Sequence, residues 1–192
     1  MRFRPLPIIC LVSLLAVVVP IAAWAVVKPV RFVAPALNGV SCPTAQVCLD
    51  DFSRLADAQS LYSEGLAFVD ANVAPLDGNP RVIFCSSETC AASFGLGKRS
   101  ALTISTIGTV IGPRAWKAYY VRHELIHQLQ AQRLGKLQSL FKPEWFVEGM
   151  AYALSQDPRQ PLNEPFEGYR ARFLAWYDSV GKEKLWQAAR AL

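Results

Sequence analysis

The chain has only two histidines, and both belong to one five-residue stretch, His123-Glu124-Leu125-Ile126-His127. Residues four apart on a helix leave the same face, so both imidazoles can reach one cation. Glu124 is rotated by about 100° from His123, which sets it beside such an ion rather than on it. A carboxylate in that position can take a proton from a bound water. Two imidazoles leave zinc short of a ligand, and a third protein ligand still leaves an open position for water. Zinc lowers the pKa of that water towards about 7 and polarises a carbonyl beside it.

The third ligand has to come from elsewhere. Position 133, where a third histidine six residues after the second would fall, is Arg, and no other histidine exists. Two carboxylates, Glu144 and Glu148, follow on the next expected helix. Glu148 is preferred because Gly149 and Ala151 come after it, and small residues allow close approach to the first helix. Glu144 sits at the helix start, where an acidic side chain favours the dipole or serves as a partner to a ligating histidine. The expected set is therefore one zinc ion per chain on His123, His127 and Glu148, with Glu124 as general base.

His123-Glu124-Leu125-Ile126-His127, followed after residues 128–144 by Trp145-Phe146-Val147-Glu148-Gly149-Met150-Ala151, resembles the gluzincin signature. The likeness is closest to the branch that contains the membrane aminopeptidases. It covers residues 100–155 and implies zinc, peptide-bond hydrolysis, and a core of small sheet, active-site helix and ligand helix. It also implies an edge strand before the active-site helix that pairs with the substrate backbone, a place taken here by residues 101–108. Three features depart from the pattern. Nothing matches the Gly-x-Met-Glu-Asn segment that holds a substrate N-terminus. Tyr152 stands where thermolysin-like enzymes carry Asp, and no large C-terminal subdomain is legible, as in the compact gluzincins. A Tyr or His stabilises the oxyanion in such enzymes; the candidates weighed are Tyr119, Tyr152, Tyr169 and Tyr177, with Tyr169 preferred for its distance beyond the ligand helix.

Around these residues the pattern predicts an α+β domain. Phe52, Leu55, Leu61, Tyr62, Leu66 and Val69 recur at helical spacing over 51–73. Residues 81–86 read as a short buried strand, and 101–111 as one or two strands broken at Gly108. A helix is expected from 114 to Leu134, stopped by Gly135. Another runs from Pro143 to 155, a third begins near Glu164, and a short one follows Gly181. Residues 28–49, with Pro29, Pro35, Gly39 and Pro43 and no helical periodicity, read as a linker, leaving 50–192 as one zincin-like domain.

The N-terminal segment fixes compartment. Arg2 and Arg4 precede a charge-free run from Ile8 to Val27. This reads as a signal peptide, with Ala23-Trp24-Ala25 as the small-x-small pattern, or as an uncleaved anchor of twenty residues, just long enough for a hydrocarbon core of about 30 Å. Either way the rest is exported, to the periplasmic or extracellular face. The cysteines agree: Cys10 lies in the apolar run, and the other four form close pairs, Cys42 with Cys48 and Cys85 with Cys90, expected as two local disulfides. A four-thiolate zinc site is the rival reading. The net charge of +5 and the absence of any basic run argue against a nucleic-acid partner. The expected partner is a peptide or protein substrate. A metal-stabilised periplasmic binding or assembly factor that does not turn over is the alternative, and a disulfide-stapled adaptor without metal is the third.

Overall fold

The protein is known here from a computed structural model that describes residues 6–26 and 28–192. Helix α1 covers Leu6–Val26, with side chains described over residues 12–22. Among the described residues no helix is long and apolar enough to cross a membrane. The expected signal or anchor over 1–27 lies partly outside them.

The fold is α+β, with a mixed four-stranded sheet in the order β1-β2-β4-β3. Strand β1 is Val47–Leu49, followed by helix α2, Leu55–Asn72, then β2, Val82–Phe84, and a short helix α3, Glu88–Ser93. Strands β3, Ala101–Ile104, and β4, Gly108–Ile111, form a hairpin, and helices α4 (Ala118–Leu134), α5 (Glu144–Leu154), α6 (Phe166–Val180) and α7 (Leu185–Ala191) complete the chain. β1, β2 and β4 run parallel, and β3 runs antiparallel to β4 at the sheet edge.

Side chains alternate across a strand, and the three parallel strands are apolar on both faces. Val47, Leu49, Val82, Phe84 and Ile111 join Val121, Leu125, Ile126 and Leu129 of α4 in the larger core. Cys48, Ile83 and Val110 turn the other way, onto Phe32, Val40, Phe94 and Leu96. This two-sided burial explains why 81–86 reads as continuous apolar sequence rather than as an alternating pattern. Each fully buried Phe, Leu or Ile contributes about 1.5–3 kcal/mol, and the smaller core has four of them, Phe32, Ile83, Phe94 and Leu96. Both disulfides, Cys42–Cys48 and Cys85–Cys90, are formed and lie on that side.

Several expectations change in detail. Residues 28–49 are not a linker: Phe32 is fully buried against Phe94, and the segment ends in β1. Proline and glycine remove helical periodicity without preventing packing, which is why it read as a connector. The helix expected over 51–73 keeps 55–72 and opens with a tight turn over 52–54, where Asp51 accepts from the Ser53 amide at 3.0 Å. Helix α4 starts at 118 rather than 114, because Pro113–Ala115 forms a separate 3₁₀ turn. It does stop at Gly135, whose φ of 96° suits a residue without Cβ.

Gly149 has a different neighbour from the one expected. A Cβ there would lie 2.3 Å from the Tyr169 carbonyl oxygen and 2.8 Å from Phe173 Cβ, both on α6. The small residue lets α6, not α4, close on the ligand helix. Gly149→Ala gains about 1 kcal/mol of helix propensity, but the overlap is with backbone and costs more, at the upper end of the ~1–3 kcal/mol of overpacking. Urea unfolding is expected to show a net loss of about 2 kcal/mol; a stabilised variant would mean that α6 moves freely on α5.

Candidate metal centre

Helix α4 places His123 and His127 one turn apart on its inner face, with their Nε2 atoms 3.1 Å from each other. Glu148 reaches in from α5, its Oε2 3.6 Å from His123 Nε2 and its Oε1 3.7 Å from His127 Nε2. The three residues offer donor atoms within 4.8 Å of one another and could hold a metal ion. Lone pairs converging at these distances repel unless a proton or cation lies between them. A small divalent ion held tetrahedrally at about 2.0–2.2 Å spaces its ligands about 3.4 Å apart, and the three separations bracket that value. The residues fit such an ion.

The imidazoles are oriented from behind. His127 Nδ1 is 2.9 Å from Gln130 Oε1, and Gln130 Nε2 donates to the Val147 carbonyl at 2.9 Å. An acceptor on Nδ1 requires the proton there and leaves the Nε2 lone pair for an ion. Gln130 is buried, so the same amide fixes a ring on α4 and the backbone next to Glu148 on α5. His123 packs edge-on against Tyr152, with ring centroids 4.5 Å apart.

Glu124 is also buried, and its Oε2 has no hydrogen-bond partner among the described residues. Buried polar atoms in native proteins are paired with few exceptions, and those exceptions mark reactive groups, ions or water. Burial drives the Glu124 carboxyl pKa up and Glu148 pushes the same way, while His127, the Thr103 hydroxyl and Arg99 oppose the rise. Burial also pushes Glu148 up, but the hydrogen bond with His123 and the charges of His127 and His123 outweigh it and hold that carboxyl at about 2. The two carboxylates are thus set apart by environment.

The donors open into a cavity of about 580 Å³. One wall is edge strand β3, through Ala101, Leu102 and Thr103. The Thr103 hydroxyl donates to the Glu124 carbonyl at 3.0 Å and pairs with the Thr109 hydroxyl at 2.7 Å, tying that strand to the middle of α4. The far wall holds Tyr120, Tyr152 and Arg159. Burial and the Glu148 charge raise the Tyr152 phenol to about 12. Burial of Asp157 raises its carboxyl, yet its hydrogen bonds from Arg159 prevail and hold it below the usual range.

Of the other residues singled out from sequence, Tyr169 is set apart: its hydroxyl donates to Glu144 Oε2 at 2.9 Å, and neither residue lines the cavity. Tyr177 stacks on Phe173 in the core. Tyr152 and Tyr120 are the tyrosines on the lining, and Tyr120 was not among the sequence candidates. Gln130 and Arg159 were missed as well. Gln130 falls on the histidine face, three residues beyond His127, a signal available in the sequence; Arg159 lies in an irregular segment that periodicity does not address. Comparison of the chain with protein-family models, curated proteins and solved structures finds no match.

Gln130→Leu removes the acceptor on His127 at similar volume. Divalent-metal affinity, read by competition with a chromophoric chelator, is expected to fall about 10- to 100-fold with helical content unchanged. Equal affinity in the two proteins would show that Gln130 serves packing alone.

Proposed function

We propose that the chain is an exported zinc-dependent peptidase of the gluzincin type, with His123, His127 and Glu148 as ligands and Glu124 as general base. The observation that carries this reading is the convergence of three donors beside the buried Glu124 carboxylate, one of whose oxygens, Oε2, has no partner among the described residues. When bound, zinc would lower the pKa of a water and polarise a carbonyl.

The remaining roles fall to the chain. Glu124 accepts the proton of the attacking water and delivers it to the leaving amine, and its burial keeps its proton affinity high enough for both transfers. Strand β3 is, among the described residues, an edge strand beside the donors, to which an extended peptide can add by backbone hydrogen bonds. The Tyr152 hydroxyl stays protonated at working pH, so it is a donor available to an oxyanion. Tyr169, committed to Glu144, is worse placed for that role. The two disulfides fit an oxidising compartment.

Two variants test the reading. The purified chain is expected to carry about one zinc per molecule, with Glu148→Ala losing it, as an open His₂Glu site requires. Glu124→Gln is expected to keep the metal and lose at least about a hundredfold in kcat/KM on a mixed-peptide substrate. Absence of zinc after refolding with metal sinks the proposal. Unimpaired turnover in Glu124→Gln removes Glu124 from its role.

A further inference from the structure

The cavity has a second polar wall, away from the three donors. Asp157 and Arg159 lie on the segment after α5. The Asp157 side chain is 1% exposed, and that of Arg159 is 39% exposed. Asp157 accepts from Arg159 Nε at 2.9 and 3.1 Å, from Nη2, and from the Arg159 backbone amide at 3.0 Å. Arg159 Nη1 donates to the Tyr120 hydroxyl at 3.0 Å. The rings of Tyr119, Tyr120 and Tyr152 lie 5.2, 4.8 and 5.8 Å from its Cζ, within cation–π range. The guanidinium is therefore fixed on its Nε side and walled by aromatic rings.

A guanidinium has five N–H donors. Asp157 takes one from Nε and one from Nη2, and Tyr120 takes one from Nη1. That leaves one N–H each on Nη1 and Nη2, on a side chain that lines the cavity. A clamp serving Asp157 alone would be complete without these two groups. The acidic residues on the lining are Glu124 and Glu148, both at the metal centre, while Lys98 and Arg99 add positive charge to that of Arg159. Two remaining donors on adjacent nitrogens match the two oxygens of a carboxylate.

We infer that Arg159 is a specificity-determining residue that receives a carboxylate of the peptide, so the site selects anionic substrates. The carboxylate is an acidic side chain or a free C-terminus. Tyr152 separates Arg159 from His123 and contacts both, which puts the guanidinium within about 10 Å of the imidazole, two to three residues of extended chain at about 3.3 Å each. Pre-orientation by Asp157 and the rings lowers the side-chain entropy lost on binding. The selectivity in turnover rests on the peptidase reading; binding of the carboxylate does not.

The test is calorimetric binding of neutral octapeptides to the full chain, both metal-free and zinc-loaded with Glu124→Gln to prevent cleavage. One pair differs by a free or amidated C-terminus. A second set, all amidated, carries a single Glu or Gln at successive positions. A carboxylate is expected to tighten binding about ten- to a hundredfold, and the pair that shows the preference identifies its source. Arg159→Gln is expected to bring that ratio near one. Because this variant leaves Asp157 without its cation and risks misfolding, Arg159→Lys is measured beside it; it keeps a charge for Asp157 but lacks the fork, and most of the preference is expected to go. Peptides bound without any carboxylate preference, or a preference unchanged in the lysine variant, overturn the proposal. A chain that takes up no zinc but shows the Arg159-dependent preference would remove the peptidase reading and leave this one. Turnover with no such preference does the reverse.

Discussion

Two imidazole nitrogens 3.1 Å apart, with carboxylate oxygens at 3.6 and 3.7 Å, form an arrangement that no helix pair adopts by default. The lone pairs repel, and each group leaves water to be there. The cost has to be met by packing that fixes α4 and α5 whether or not a cation is present. Much of the molecule can be understood from this requirement. The buried face of α4 is anchored to the sheet through Val121, Leu125, Ile126 and Leu129, so the histidines project from a helix whose other side cannot rotate. Helix α5 is fixed on two sides, by the Gln130 amide reaching the Val147 carbonyl and by α6 pressed onto Gly149. Phe146, Phe173 and Trp176 fill the space between those two helices.

The sheet serves the same end from the other side. Its parallel strands are short, three or four residues each, and the smaller of its two cores is built from loop segments and a helix of six residues. The Cys42–Cys48 bridge ties the loop before β1 to the middle of that strand, Cys85–Cys90 closes a loop just after β2, and Asp50, just after β1, accepts from both the Ser86 and Ser87 amides beyond β2. Order at β1 and β2 passes through β4 to β3 by strand pairing and reaches α4 by the Thr103 hydroxyl. The wall of the cavity is thus held by the covalent staples at two removes.

This layout explains what could be read from the chain and what could not. The α4 and α5 helices were legible because their apolar spacing and their stops at Gly135 and after Leu154 are local signals. The three donors were legible because histidine is scarce here and the two present share a helical face. Glu148 stood out over Glu144, although the reason offered, approach to α4, belonged to a contact that Gly149 makes with α6. Residues 28–49 were misread because Phe32 and Val40 pack against strands far away in sequence, and no local pattern records that. The hairpin was visible as β-prone residues around Gly108. Its antiparallel edge position rests on the register with β4, which only pairing fixes.

The surroundings of the two histidines differ from what an anionic partner would provide. Among the described residues, Glu148 is the one carboxylate that comes within ion-pairing reach of either imidazole. A neutral amide stands behind His127, and an aromatic ring stands against His123. A carboxylate at such a position raises the basicity of the ligating nitrogen; an amide fixes the ring's tautomer and direction without adding charge. A cation between these donors would be balanced by Glu148 directly and by Glu124 beside it, and by no further anion in contact with its ligands. Asp157 is committed to Arg159. Tyr152 stands edge-on against His123, and the Arg159 guanidinium lies 5.8 Å from the same ring. The end of α5 thus sets an aromatic ring, rather than a charged group, between His123 and the guanidinium.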